Sequence, residues 1–110
     1  MSGFTKGEWF AKREGQSTVY IECRIGGGWL QEVAACGPTA NGSEEQEANA
    51  RLISAAPKLL EALQELLASY ENIMHNEFDY PNDPWSAEGR NDDEALNARK
   101  AIAKALTPQY

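Results

Sequence analysis

Cysteine and histidine are scarce in this chain of 110 residues, which contains two cysteines and one histidine. Cys23 and Cys36 form no CxxC pair, so the usual spacing of a structural zinc site is excluded. In a reducing cytosol we expect both to be small buried hydrophobic residues. His75 could bind a metal with Glu71 and Asp79, but loosely spaced ligands near a helix end often arise by chance, and we predict no metal site.

Long hydrophobic runs and catalytic motifs are absent as well. No segment approaches the roughly 18 to 20 apolar residues of a membrane span, and residues 1–14 lack the apolar centre of a signal peptide. We therefore expect a cytoplasmic protein without membrane association. No nucleophile is flanked by the glycines of a nucleophile elbow, so we predict that the protein is not an enzyme and uses no cofactor. The hypothesis of an enzyme that uses His75 ranks below the two binding hypotheses given at the end of this section.

Positive charge is in short supply, because the net charge is −7 and residues 43–110 hold six basic against thirteen acidic residues. Such a chain repels phosphate backbones at long range, so we expect no binding to a nucleic-acid polymer. The acidic residues could form a solvated helix face or contact a basic protein surface. The net charge does not exclude the binding of a small nucleotide in a local arginine pocket.

The first part of the chain has the alternating pattern of β-strands at Gly7–Arg13, Ser17–Arg24 and Trp29–Cys36. Short glycine-containing turns separate these segments, which predicts an antiparallel sheet within residues 1–42. The triple glycine at 26–28 precedes a strand and not a helix, so it indicates a hairpin turn and not a phosphate-binding loop.

Residues 43–74 have the pattern of one long helix. Ser43 and Gln46 match a capping box at its start. Pro57 removes a backbone hydrogen bond, but the apolar rows stay in phase, so we expect a kink, with a break at Ala56 as the alternative.

Residues 75–90 are predicted as a loop, because Pro81 and Pro84 prevent a helix there. A second helix is expected over residues 91–107, starting at the N-cap Asn91. The predicted fold is therefore α+β, with a three-stranded antiparallel sheet, a long kinked helix and a shorter C-terminal helix in a single domain, 1–110.

The long helix has an apolar stripe too wide for one solvent-facing helix. One row follows a 4-3-4-3 spacing and a second repeats every seven residues, so a lone copy cannot cover both well. We therefore predict a homo-oligomer. The two rows are Leu52, Ala56, Leu59, Leu63, Leu66, Tyr70 and Ile73, and Ile53, Leu60, Leu67 and Met74.

A nucleotide pocket requires guanidinium groups for phosphates and an aromatic ring for a base. The helical half supplies Arg51, Arg90 and Arg99, and the loop supplies Phe78, Tyr80 and Trp85. The alternative is that Arg51 and Arg99 form surface pairs with neighbouring glutamates, each worth at most about 1 kcal/mol.

Three segments resemble a group of short bacteriophage proteins: Phe4–Trp9, the helix ANARLISAAPKLLEAL at Ala48–Leu63, and ARKAIAKAL at Ala98–Leu106. The characterised relatives are the first-described Thoeris anti-defence proteins. The resemblance implies an oligomer in the host bacterial cytoplasm that holds the glycocyclic ADP-ribose signal without cleavage. It implies roles for Arg51 and Arg99 on phosphates, for Phe78 or Tyr80 on adenine, and for Arg24 at a second site.

The first functional hypothesis is therefore sequestration of a cyclic nucleotide immune signal in a pocket between subunits. The alternative is an acidic, anti-CRISPR-like inhibitor that blocks a host nucleic-acid-binding complex by direct contact.

Overall fold

The chain folds as three antiparallel strands followed by three helices in residues 3–78 and 93–108, which the computed structural model describes. This confirms the predicted α+β fold class. The strands are β1 (Trp9–Glu14), β2 (Thr18–Ile25) and β3 (Trp29–Cys36), and the helices are α1 (Ser43–Ser54), α2 (Ala56–Phe78) and α3 (Asp93–Leu106).

The sheet is a meander in the order β1-β2-β3, with β2 in the centre. Its alternation is clear, because Val19, Ile21 and Cys23 are buried while the residues between them are not. The turn between β2 and β3 is formed by residues 26–28, and Gly27 has φ +80°, a conformation that favours glycine. The prediction of a hairpin turn at the triple glycine is confirmed.

Helix α1 covers the face of the sheet that carries these buried residues. Ala50 is completely buried in a cluster with Val19, Ile21 and Cys36. The predicted burial of both cysteines as free thiols is confirmed. The small Ala50 allows the helix to approach β2 closely.

The predicted capping box at the start of α1 is wrong. Gly42 occupies the N-cap position without a side-chain hydrogen bond. Gln46 is buried, and its Nε2 donates to the carbonyl oxygens of Ser17 (2.9 Å) and Cys36 (2.8 Å), while Arg13 Nη2 donates to its Oε1 (2.7 Å). The side chain satisfies buried carbonyl groups of the sheet, which favours this arrangement over a bond to an exposed cap.

The expected long helix is interrupted at Ala55, one residue before the Ala56 that the sequence offered as an alternative break. Ala55 keeps helical dihedral angles (φ −86°, ψ −6°), and its N–H donates to the carbonyl oxygens of Arg51 and Leu52. Pro57 therefore lies in the first turn of α2, where a missing N–H costs little.

Helix α2 continues through Phe78, so residues 75–78 are helical and not part of a loop. The rest of the predicted loop, residues 79–90, and the predicted N-cap Asn91 lie outside the described residues.

The chain divides into two compact units, Met1–Lys58 and Leu59–Tyr110. The first contains the sheet and α1. The second contains most of α2 together with α3, and Ala95 of α3 is buried within it (4% exposed). The single-domain assignment remains a prediction.

The N-terminal segment is held against the end of the sheet. Trp9 Nε1 donates to the carbonyl oxygen of Thr5 (3.0 Å), and Gln31 Nε2 donates to the Thr5 hydroxyl (3.1 Å). Gly7 has φ +127°, and a Cβ atom there would lie 2.8 Å from Cys23 Sγ. This glycine ends the segment, and β1 begins at Trp9 and not at Gly7.

Among the described residues, none of the helices has the length and apolar content to cross a membrane.

Candidate functional site

A shallow depression of about 460 Å³ lies on the sheet face opposite α1, and Glu8, Phe10 and Arg24 line it. Arg24 follows the buried Cys23 on β2, so the strand alternation directs it away from the core. Phe10 is opposite Glu22 in the β1–β2 register and lies on the same face. The depression thus combines a guanidinium group, an aromatic ring and a carboxylate.

This arrangement of side chains suits a ligand that is polar and partly aromatic. A guanidinium group binds phosphate oxygens in a two-pronged geometry, and the ring of Phe10 offers a flat apolar surface for a base. The carboxylate of Glu8 accepts hydrogen bonds from hydroxyl groups and repels phosphate. The volume lies within the range of about 300 to 1,000 Å³ that small-molecule sites occupy.

Carboxylates also accumulate further along the same face. Glu22 is directly opposite Glu32 in the β2–β3 register, and like charges in such pairs destabilise a sheet. One carboxylate oxygen of Glu22, Oε1, is buried without a hydrogen-bond partner. Lys12 on β1 is paired with Glu14 at 3.2 Å.

Two other predicted arginines, Arg51 and Arg99, are not among the described residues that line this depression. Arg51 is exposed in the last turn of α1, which packs on the opposite sheet face. Arg99 of α3 donates through Nη2 (2.7 Å) and Nε (2.9 Å) to one oxygen of Glu71 on α2. For Arg99 the structure therefore shows the surface pairing that the sequence offered as the alternative to a pocket.

The predicted aromatic contacts fall at the limit of the described residues. Phe78 is the last residue of α2, and Tyr80 and Arg90 lie outside the described ranges. His75 belongs to α2, but its side chain and Asp79 are not among the described parts. Within residues 3–78 and 93–108, no three His, Cys, Asp or Glu side chains cluster as metal ligands would.

A second concavity of about 450 Å³ separates α2 and α3, and its lining is largely apolar. The sequence predicted that the alanines of α3 allow close approach, and Ala95 and Ala98 do line this groove. Among the described residues that line the groove there is no cation for a phosphate, so this lining suits apolar side chains better than a nucleotide. Its other lining residues are Leu63, Leu66, Leu67, Tyr70 and Glu94.

One ionisable group near the start of α1 has a shifted pKa. The pKa of the Glu45 carboxyl is lowered from 4.5, first by the hydrogen bond from the Asn41 amide (2.9 Å) and then by Thr39. Both groups stabilise the charged carboxylate. Glu45 is exposed and lies in the first turn of α1, so its role is in the local structure of the helix start.

Comparison with known proteins places nearly the whole length of the chain in one family. The profile of the family described as Salmonella phage P22 protein Y8K6 matches residues 1–109. The chain belongs to this family. It is therefore a phage protein, as the resemblance of its helices to short phage proteins predicted. No curated protein and no solved structure matches the chain.

Proposed function

We propose that this member of the Y8K6 family acts by binding and not by catalysis, and that it sequesters a cyclic nucleotide immune signal of the glycocyclic ADP-ribose type. The observation that carries the proposal is the juxtaposition of Arg24 and Phe10 in one depression of the sheet. The phage origin and the resemblance of Ala48–Leu63 to the Thoeris anti-defence helix support the biological role.

In the proposed complex, Arg24 binds the phosphates, Phe10 stacks on the base, and Glu8 accepts hydrogen bonds from ribose hydroxyls. No bond of the ligand is broken. Arg51 and Arg99 remain candidates for further phosphate contacts, and Phe78 and Tyr80 remain candidates for stacking. Sequestration of a scarce signal requires tight binding, since a nanomolar dissociation constant corresponds to about −12 kcal/mol.

The test is calorimetric titration of the full-length protein with a panel that includes glycocyclic ADP-ribose, cyclic dinucleotides and cyclic trinucleotides. We expect Arg24→Ala to weaken binding by about 1.5–3 kcal/mol, the typical loss for a charged hydrogen bond. The bound ligand should be recovered with its mass unchanged after heat denaturation of the protein.

Lys12→Ala is the matched control, because Lys12 is a cation of the same sheet paired with Glu14. It should leave binding unchanged. Arg51→Ala and Arg99→Ala test the other predicted cations, and a larger loss for either would move the site away from the sheet. If no panel member binds, or a hydrolysed product is recovered, the proposal is wrong.

A second candidate function rests on a different feature of the same face. The opposed carboxylates Glu22 and Glu32, together with the net charge of −7, suit direct contact with a basic surface of a host nucleic-acid-binding complex. Glu32→Gln removes one charge from this pair without shortening the side chain.

The two functions differ in their response to substitution and salt. A contact inhibitor should lose host-complex binding on Glu32→Gln and with rising salt, and should retain no nucleotide. Sequestration should be insensitive to Glu32→Gln and should depend on Arg24.

A further inference from the structure

Helix α2 has an apolar row that nothing covers among the described residues. Leu59, Leu66 and Ile73 are 53%, 68% and 53% exposed. Leu66 also borders the groove towards α3, together with Leu63 and Leu67 of the neighbouring, partly exposed row. Helix α3 therefore lies over the side of the apolar stripe that carries Leu63 and Leu67, and it leaves Leu59, Ile73 and most of Leu66 exposed.

The exposed row repeats every seven residues over a length of about 21 Å, since a helix rises about 1.5 Å per residue. A seven-residue repeat keeps one stripe of a helix against a partner helix of the same repeat. Ala62 and Ser69, which are small and exposed, flank the row on the side away from α3. Small side chains there allow the backbone of a second helix to approach closely.

We propose that this row is the interface between two copies of the chain, each packing Leu59, Leu66 and Ile73 of α2 against the same residues of the other. A second copy is the occupant that fits, because the row requires a partner with the same seven-residue apolar repeat and the chain itself supplies one. The row contains no charged residue, and the nearby acidic Glu71 is directed to Arg99 of α3.

The pairing is isologous, so a two-fold axis relates the two rows. Leu66 is the central residue of the three and meets Leu66 of the other copy whether the helices run parallel or antiparallel in register. Each copy then contributes an α2–α3 hairpin, and the dimer is a four-helix bundle. This inference is independent of the ligand proposed above.

The test is sedimentation velocity on the full-length protein between 1 and 100 µM, taking roughly micromolar dissociation as the limit of a specific dimer. We expect a dimer for the wild type and a folded monomer for Leu66→Glu. Because both copies carry net negative charge, added salt should strengthen the dimer. A wild-type monomer across this range, or a dimer that Leu66→Glu leaves intact, overturns the proposal.

Three further variants exclude trivial explanations. Ala68→Glu places the same charge at an exposed position on the other side of α2 and should remain dimeric. If Leu66→Glu fails to fold, Leu66→Ala keeps a strong helix former and should weaken dimerisation at least tenfold. Mixing Leu66→Glu with Leu66→Lys should restore a dimer that neither variant forms alone, and failure of the mixture would contradict the central position of Leu66.

Discussion

At position 7 the backbone accepts only glycine without strain. The φ of +127° is unfavourable for any residue with a Cβ atom, and such an atom would lie 2.8 Å from Cys23 Sγ and 3.1 Å from the carbonyl oxygen of Arg24. We therefore expect Gly7→Ala to lower the free energy of unfolding by about 1–3 kcal/mol, as for other strained backbone positions. Urea denaturation measures this change.

Gly37→Ala is the control for that substitution. Gly37 has no positive φ, and a Cβ atom there would meet nothing within 4 Å. Its replacement should change stability little. If Gly7→Ala and Gly37→Ala lowered the free energy of unfolding equally, the contact of Gly7 with Cys23 would contribute nothing to stability.

A second prediction at the scale of single residues concerns the pKa of the Glu45 carboxyl. Its pKa is lowered by the Asn41 amide and by Thr39, so the folded state prefers the charged form. This stabilisation is fully present above the ordinary value of 4.5 and is lost as the pH falls through the lowered pKa. An NMR titration should give a pKa below 4.5 in the wild type and a value closer to 4.5 in Asn41→Ala. An unchanged value in Asn41→Ala would contradict the assigned cause.

The sequence identified the arginines by type but could not rank them. Arg24 was a secondary candidate, and the structure places it beside Phe10, which sequence reasoning had not considered as a ligand residue. The sequence did indicate that Phe10 and Arg24 share a face of the sheet. The hairpin register sets Phe10 opposite Glu22, and alternation along β2 puts Glu22 and Arg24 on the same face. The pairing of Arg99 with Glu71 depends on how α2 and α3 pack, which spacing alone does not give.

At the scale of the elements, Gln46 fixes α1 to the sheet. Gln46→Leu keeps a similar volume but leaves the carbonyl groups of Ser17 and Cys36 without their donor. Because an unsatisfied buried polar group costs about 1–3 kcal/mol, we expect a loss of roughly 2–4 kcal/mol in the free energy of unfolding. Chemical denaturation followed by circular dichroism measures this loss.

Gln64→Leu is the matched control, since Gln64 is exposed on α2. Exposed substitutions of this kind usually change stability by less than about 0.5 kcal/mol. A similar small effect at Gln46 would show that water replaces its hydrogen bonds.

The strands were predictable because alternation and turn glycines act locally, and β3 has the predicted bounds Trp29–Cys36. The start of α1 at Ser43 was predictable as well, but its capping was not, because Gln46 has competing partners that only the folded sheet provides. The interruption at Ala55 lies one residue before the break that the sequence offered as the alternative. Pro57 is compatible with a kinked helix or with the first turn of a new one, and the apolar rows stay in phase in both cases.

For the whole molecule, the hydrophobic pattern was sufficient to predict the α+β class, and the resemblance to short bacteriophage proteins predicted a phage protein; both predictions are confirmed. The division into a sheet unit and a helical unit was not apparent from the sequence, because the apolar rows run through residue 58 without a change in phase. The periodicity of the sequence indicates which apolar residues must be buried, but it does not indicate which surface of the molecule buries them. The exposed row at Leu66 is therefore visible in the sequence only as excess apolar surface.

The burial of Cys23 and Cys36 keeps both thiols of the protein away from its surface. These are the only two cysteines of the chain, and both are shielded from bulk solvent. A thiol introduced at an exposed position such as Ala68, on the side of α2 away from the proposed interface, would consequently be the one that reacts rapidly with a maleimide or a nitroxide reagent. Probe-to-probe distances across an assembly of this protein can thus be measured without first replacing either native sulfhydryl.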